Sequence, residues 1–224
     1  MQELEIKILA KSKSSKNKEA ITLKEHTKGL LQQLKNLKFK VCKEFVDYNL
    51  LKFAIYSHDL GKVAPSFQIS VGNWDYKPKV PFPEIPHSVF SLLWINKNKL
   101  SNEFSSEEDI KILLSVIAFH HWRDNFHNII LGNDDKFKRV ISELLKNKTL
   151  KYQLLQNLTK HFSDSDKEFS YYLNFLSFDA DLALAISEGN DLFPYVIPPY
   201  YSYFLPQRIS LNEEFKKKWI YTAG

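Results

Sequence analysis

This 224-residue sequence has almost no cysteine and no long apolar run. Its single cysteine, Cys42, cannot form an internal disulfide, which excludes a disulfide-stapled secreted fold, a cysteine-based zinc finger and an iron–sulfur site. No stretch approaches the roughly 20 apolar residues that span a bilayer, and the first residues lack the pattern of a signal peptide. We therefore expect a soluble, unprocessed, cytoplasmic protein with no membrane partner.

The overall composition is that of a globular protein. Hydrophobic residues make up 44%, aromatic residues 14% and charged residues 25%, which argues against disorder and collagen-like repeats. No internal repeat or linker divides the chain, so we expect residues 1–224 to form a single domain. Lysine and arginine exceed aspartate and glutamate by 31 − 26 = 5, a mildly basic balance that attracts polyanions only weakly.

Helical periodicity dominates the chain. Apolar residues recur at helical spacing over 22–37, where Thr22 and Glu25 fit a capping box, and the run 42–59 becomes almost continuously apolar before Gly61, a candidate left-handed helix end. The predicted fold class is all-α, a helical bundle with a short extended N-terminal arm. The remaining predicted elements are that arm at residues 4–10 and helices at 87–100, 105–121 (with Ser105 and Glu108 as a capping box), 134–147, 152–162, 170–187 and 213–224.

A proline-rich stretch between Val63 and Pro86 predicts a long irregular loop. The stretch also carries the aromatic residues Trp74, Tyr76 and Phe82. Aromatic rings in such a loop could stack on the bases of a single strand, or they could simply pack the loop itself. The sequence leaves both interpretations open.

Most of the histidines lie where predicted helices begin or end. Imidazole and carboxylate groups hold Mn, Fe, Co, Ni or Zn, and a histidine-rich set favours such transition metals over Mg. The apolar run LLKFAIY ends near His58 and Asp59, where an unpaired buried carboxylate would cost several kcal/mol unless a cation compensates it. The sequence thus predicts a metal centre. Its candidate residues are His26, His58, Asp59, His87, His120 and His121.

Two of these assignments have ordinary alternatives. His120 and His121 could be exposed imidazoles at a helix C-terminus, where the helix dipole favours positive charge. His127 and His161 stand alone, and we expect them to be structural residues rather than ligands.

The order of the candidate residues resembles the HD phosphohydrolase superfamily. An early histidine in TLKEHTKGLL is followed by HDLGKVAPSFQ, IPHSVFSLLWI and VIAFHHWRDN. Together these segments resemble the HD nuclease domain of the type I CRISPR interference helicase-nuclease, here as a stand-alone subunit. An HD pair alone is a weak signal, but the pattern HDxGKxxxxFQ followed by HS and HH is specific.

The resemblance implies a two-metal nuclease. Such an enzyme hydrolyses phosphodiester bonds of single-stranded DNA or RNA with a hydroxide that two divalent ions activate. Mn, Fe, Co or Ni are favoured, with Mg as the other candidate. The family also has a later aspartate, which either lies beyond residue 224 or is replaced by Asp181. The implied ligand assignment is Asp59 as the bridge, His26 and His58 on one metal, and His87, His120 and His121 on the other.

Four further residues are candidates for contact with substrate. Lys62 could act as a catalytic and substrate-binding cation at a phosphate, or merely lie at a helix C-terminus. Ser88 could hydrogen-bond a phosphate or start its helix, while Trp122 and Arg123 offer stacking and charge. Gln68 belongs to the family-like FQ step, but the sequence assigns it no chemical role.

The expected partners follow from the resemblance and from a missing motif. No P-loop or other helicase motif occurs in the sequence, so unwinding would come from a separate helicase subunit working with an RNA-guided CRISPR surveillance complex. Two alternatives remain open. One is an HD phosphohydrolase of nucleotides or cyclic nucleotides, and the other is a catalytically silent HD scaffold that binds nucleic acid.

Overall fold

Helices make up most of the computed structural model, which describes residues 7–13, 19–38, 47–121, 126–163 and 167–197. The predicted all-α class is confirmed. None of the helices in these ranges is long and apolar enough to cross a membrane. The helices are α1 Leu23–Lys38, α2 Tyr48–Ser57, α3 Pro65–Ser70, α4 His87–Ser91, α5 Lys97–Glu103, α6 Glu107–Phe119, α7 Phe126–Ile130, α8 Asp135–Lys146, α9 Lys148–Phe162, α10 Lys167–Leu173 and α11 Ala180–Glu188, with short 3₁₀ turns at Leu60–Val63 and Leu92–Trp94.

A small antiparallel sheet precedes α1. Its strands are β1 Leu9–Lys11 and β2 Ile21–Thr22, so the predicted extended arm is confirmed where it is described. The predicted capping box follows directly: the Thr22 N–H donates to Glu25 Oε2 at 2.8 Å, and the Glu25 N–H donates to Thr22 Oγ1 at 3.2 Å. These reciprocal bonds fix the first turn of α1, which carries His26.

Helix α2 is the buried helix that leads to the HD pair. Asp47 caps it by accepting hydrogen bonds from the backbone N–H groups of Asn49 and Leu50. The buried face includes Leu50, Phe53 and Tyr56, and each such side chain contributes about 1.5–3 kcal/mol by leaving water. The helix ends at Ser57, two residues before its predicted end at Asp59, and its predicted beginning at 42 lies outside the described residues.

Gly61 differs from the prediction made for it. It lies inside the 3₁₀ turn and does not have a positive φ, so it is not a left-handed helix end. Its role is steric, because a Cβ here would overlap the carbonyl oxygen of His87 and come within 2.7 Å of the Ser91 nitrogen. The Gly61 N–H also donates to Ser91 Oγ at 2.8 Å, and that hydroxyl lies 2.7 Å from the carbonyl oxygen of His58. Glycine therefore lets α4 pack directly against the HD turn.

Some of the predicted helices also differ from the structure. The N-cap of α6 is Ser106 rather than Ser105, and its hydroxyl accepts from the N–H groups of Glu108 and Asp109. The stretches predicted as single helices at 87–100 and 170–187 are each broken in the middle. Residues near both breaks meet in an antiparallel bridge between Ile95 and Leu176, and this tertiary pairing overrides the helical periodicity.

The loop predicted between Val63 and Pro86 is partly helical, because α3 occupies its first part. Tyr76 and Phe82 are buried, and the Tyr76 hydroxyl donates to the Val63 carbonyl at 2.7 Å. Trp74 is 67% exposed. Tyr76 and Phe82 therefore pack the loop, whereas Trp74 remains available for stacking.

Replacing Gly61 tests the close packing at the HD turn. We expect Gly61→Ala to destabilise the protein by more than about 2 kcal/mol, since its Cβ meets backbone that cannot yield cheaply. Gly29→Ala is the control, because a Cβ there meets nothing within 4 Å in the middle of α1, and it should stabilise the helix by about 0.5–1 kcal/mol. Urea unfolding measures both, and equal stability of the two variants would contradict the steric account.

His161, near the end of α9, is partly buried and packs edge-on against Phe162. Its Nε2 finds no hydrogen-bond partner among the described residues. Burial, with a smaller effect of Lys24, lowers the pKa of His161 to about 4, so the folded protein holds this imidazole neutral at pH 7. The structure agrees with the prediction of a structural residue.

Acid should therefore destabilise the protein through His161. The unfolded chain binds a proton at this residue below about pH 6.5, while the folded protein resists protonation until about pH 4, so stability falls as pH drops through that interval. Thermal unfolding in EDTA at pH 7 and pH 5 measures the loss in wild type and in His161→Leu. The variant should lose less stability than wild type between the two values; equal losses would show that His161 is not responsible.

Candidate metal centre

Asp59 lies at the centre of a group of imidazoles. It follows α2 with φ −107° and ψ 10°, a sparsely populated backbone region that turns the chain into the 3₁₀ segment. Its side chain is almost wholly buried, yet both carboxylate oxygens lack a hydrogen bond of ordinary geometry among the described residues. The ionisation of this carboxylate therefore depends on the polar groups around it.

The two oxygens of Asp59 face different histidines. Oδ2 lies 3.2 Å from Nε2 of His26 and 3.1 Å from Nε2 of His58. Oδ1 lies 3.4 Å from Nε2 of His87 and 3.4 Å from Nε2 of His120. One carboxylate is thus divided between two pairs of nitrogen ligands.

His121 completes the second set. The ligand atoms of His87, His120 and His121 lie within 4.8 Å of one another, and the same holds for His26, His58 and Asp59. The first three range from buried to exposed, with His121 on the open side. The structure therefore brings together all six residues that the sequence predicted as metal ligands, in the two groups that the resemblance implied.

Helix ends deliver these side chains to one place. His26 comes from the first turn of α1, His58 caps α2 at its end, and His87 opens α4. His120 caps the end of α6, and His121 follows it. The apolar bodies of these helices stay in the core while their polar ends meet at Asp59.

Backbone carbonyls set the orientation of two of the rings. Nδ1 of His58 lies 2.9 Å from the carbonyl oxygen of Ile55, and Nδ1 of His120 lies 2.7 Å from that of Ile117. A carbonyl oxygen only accepts, so in each ring Nδ1 carries the proton and the neutral ring keeps a lone pair on Nε2. Both lone pairs then face the Asp59 carboxylate.

A nitrogen lone pair repels a nearby carboxylate unless a positive charge lies between the two groups. Nε2 of His87 and Nε2 of His120 are buried and, in the described part of the chain, make no hydrogen bond. Each unpaired buried polar group costs about 1–3 kcal/mol. Ligands bonded at about 2.0–2.2 Å to one ion, at tetrahedral or octahedral angles, lie roughly 3.0–3.4 Å apart, which is the spacing seen around Asp59. The donor set therefore fits a divalent metal.

The protonation states agree with metal binding. Burial alone would raise the pKa of Asp59, but hydrogen bonds that the imidazoles of His120, His26, His58 and His87 donate when Nε2 carries a proton outweigh it and hold that pKa well below the usual value. A bound metal ion takes the place of those protons. Burial lowers the pKa of His87, and burial with neighbouring positive charge lowers the pKa of His121 to about 4. Near neutral pH the Asp59 carboxylate is ionised and the imidazoles of His87 and His121 are neutral, which are the forms that bind metals.

Lys62 lies inside the centre rather than at its edge. Its Nζ is 2.7 Å from Asp59 Oδ2 and donates to the carbonyl oxygen of Ala10 at 3.3 Å, while the ring of Phe67 lies 5.4 Å away. The residue is only 5% exposed. It is thus a buried partner of the carboxylate and not a solvated cation at a helix end.

The other predicted substrate and ligand residues have different outcomes. Ser88 is buried, and its hydroxyl has no hydrogen-bond partner in the described ranges, so this position does not favour contact with substrate. Trp122 and Arg123 lie outside the described residues. Asp181 is exposed in the first turn of α11 and belongs to neither ligand group, so its position does not support it as the missing ligand.

Gln68 is a residue that the sequence reasoning did not interpret. It is fully buried, and its carboxamide bonds to the Leu9 backbone and to the Lys62 carbonyl oxygen. The only signal in the sequence was its place in the FQ step after the HD motif.

A helical bundle whose helix ends surround an HD pair with further histidines defines an HD-domain protein. The family model described as "Cas3, HD domain" matches residues 19–185, and the chain belongs to this family. No curated protein and no solved structure matches the chain. The family is one of metal-dependent HD-type hydrolases in CRISPR systems, in keeping with the ligand groups at Asp59.

Metal binding should depend on the Asp59 charge. We expect Mn²⁺ added to EDTA-stripped wild type at about 100 times its Kd to stabilise the fold by about 2.7 kcal/mol. Asp59→Asn keeps the shape but removes the charge shared by both groups, and should weaken binding by about 100-fold or more. His127→Ala, an exposed histidine outside both groups, is the control. Titration calorimetry and thermal unfolding measure the effect; unchanged affinity in Asp59→Asn would contradict the assignment.

Proposed function

We propose that this protein is a metal-dependent nuclease that hydrolyses phosphodiester bonds of single-stranded DNA or RNA in CRISPR interference. The observation that supports the proposal best is the division of the Asp59 carboxylate, with one oxygen toward His26 and His58 and the other toward His87 and His120. A carboxylate can serve two cations at once, whereas each imidazole serves one, so this arrangement suits a two-metal centre.

Two divalent cations held by these residues would lower the pKa of a water molecule toward about 7 and neutralise charge on the scissile phosphate. The nitrogen-rich donor set favours Mn, Fe, Co or Ni over Mg. The exposure of the ligand residues shows which side of the site is accessible to solvent. Asp59 and His87 are buried, while His121 is exposed, so substrate and water approach from the side of His121.

Lys62 is the proposed cationic residue of the reaction. Its ammonium group lies 2.7 Å from Asp59 Oδ2, on the side of His26 and His58. In that position it limits the negative charge of the carboxylate and can stabilise charge that develops on a phosphate at the same place. No side-chain nucleophile is needed for this chemistry.

The ring of Trp74 is 67% exposed and could stack on an unpaired base. The family supports a helicase and an RNA-guided surveillance complex as partners in the cytoplasm. The helicase would supply the displaced strand that the nuclease cuts.

Cleavage assays with defined substrates test the proposal. EDTA-stripped protein receives Mn²⁺, Co²⁺, Ni²⁺, Mg²⁺ or Ca²⁺ together with end-labelled single-stranded DNA, single-stranded RNA or a panel of nucleotides and cyclic nucleotides. We expect degradation of the polymer with a transition metal and no degradation in Asp59→Ala. The product ladder distinguishes internal cleavage from cleavage at an end.

His121→Ala and His161→Ala form a matched pair for the same assay. His121→Ala removes an open-side ligand and should lower the rate by about 100-fold or more, while His161→Ala leaves the ligand set intact and should stay within about threefold of wild type. Equal rates in the two variants would contradict the ligand assignment. Turnover of nucleotides alone would replace the nuclease by a nucleotide phosphohydrolase, and binding of single-stranded DNA without turnover would replace it by a silent scaffold.

A further inference from the structure

One buried side chain connects the N-terminal strand to the proposed active site. The carboxamide of Gln68, fully buried after the HD motif, pairs with the backbone of Leu9 as a neighbouring strand would. The Leu9 N–H donates to Gln68 Oε1 at 2.9 Å, and Gln68 Nε2 donates to the Leu9 carbonyl oxygen at 3.0 Å. At Leu9, strand β1 therefore pairs with the Gln68 side chain in addition to its pairing with β2.

The same carboxamide holds the backbone of Lys62. Gln68 Nε2 also donates to the Lys62 carbonyl oxygen at 2.6 Å, and Gln68 Oε1 accepts a second hydrogen bond, from Asn73 Nδ2 at 2.7 Å. Both N–H donors and both acceptor positions of the carboxamide are used. Neither an apolar side chain nor a carboxylate of the same size can reproduce this set, since it needs two donors and two acceptors.

The position of strand β1 also affects the ammonium group of Lys62. Ala10, the residue after Leu9, offers its carbonyl oxygen to Lys62 Nζ at 3.3 Å, and the same Nζ lies 2.7 Å from Asp59 Oδ2. Gln68 thus fixes Lys62 twice, directly at its backbone and indirectly at its ammonium group through strand β1.

We propose that Gln68 is a positioning residue that sets the Lys62 ammonium group at Asp59 by holding strand β1 and the Lys62 backbone together. The proposal rests on the proposed function for its kinetic consequence, because a displaced Lys62 matters to rate only if Lys62 acts in the reaction. It also makes the N-terminal strand a structural part of the centre, although the strand supplies no metal ligand.

A double-mutant cycle in the intact chain tests the kinetic consequence. Gln68→Met keeps the volume and removes all four hydrogen bonds; it should lower kcat on single-stranded DNA by about tenfold while KM stays within about twofold. Lys62→Ala should lower kcat by about 100-fold. If Gln68 acts through Lys62, the double variant should match Lys62→Ala within about twofold.

Asn157→Leu is the matched control, since it removes another buried carboxamide whose Nδ2 bonds to the Tyr76 hydroxyl and the Lys77 carbonyl oxygen. Its kcat should stay within about twofold of wild type. Multiplied losses in the double variant, about 1000-fold together, would overturn the proposal, as would an equal loss in Asn157→Leu.

A second measurement does not depend on activity and separates the two proposals. Amine acylation of the native protein, read by mass spectrometry, should modify Lys62 slowly relative to the exposed Lys146. Gln68→Met should raise the rate at Lys62 by about tenfold, and Asn157→Leu should leave it unchanged. Equal Lys62 rates in wild type and Gln68→Met would overturn the positioning role. If the wild type has no nuclease activity but Gln68→Met still raises the acylation rate at Lys62, the result would overturn only the proposed nuclease function.

Discussion

The buried charge of Asp59 is the constraint on which the rest of the structure depends. A carboxylate with this burial is stable only when positive charge or hydrogen-bond donors surround it. Here the backbone carbonyls of Ile55 and Ile117 fix the tautomers of His58 and His120, so neutral rings turn lone pairs toward the carboxylate. In the described ranges, only Lys62 brings a permanent positive charge close to it. Without a bound cation, these lone pairs repel the carboxylate. A cation between them would attract both groups.

The fold serves this site through the ends of its helices. Each of these helices has an apolar body, which packs in the core, and terminal residues that can be polar without disturbing the core. Close approach of these ends demands small groups at the crossing points, and Gly61 against α4 provides one, with the Ser91 hydroxyl joining the HD turn to the same helix. The ligand geometry is therefore set by main-chain packing as much as by the ligands themselves.

Much of the site could be predicted from the sequence because polar residues at the ends of apolar helices are exceptional. His58 and Asp59 stood out for that reason, and the order of the other histidines resembled a known family. The capping box of α1 was equally local and equally predictable. The helix breaks around Ile95 and Leu176 were not, since they depend on pairing between residues far apart in the chain.

The surroundings of Lys62 were beyond prediction for the same physical reason. Nothing in the local sequence shows that Gln68 bonds to Leu9, 59 residues earlier, or that the Ala10 carbonyl oxygen faces the ammonium group. Long-range contacts of this kind decide whether a lysine after an HD motif is a solvated cation or part of the centre. The most direct test of the whole account is anomalous diffraction from crystals of the protein grown with Mn²⁺. The account predicts anomalous peaks in contact with both Asp59 oxygens and with the imidazoles on either side; an Asp59 that contacts Lys62 alone, with the peaks elsewhere, would contradict it.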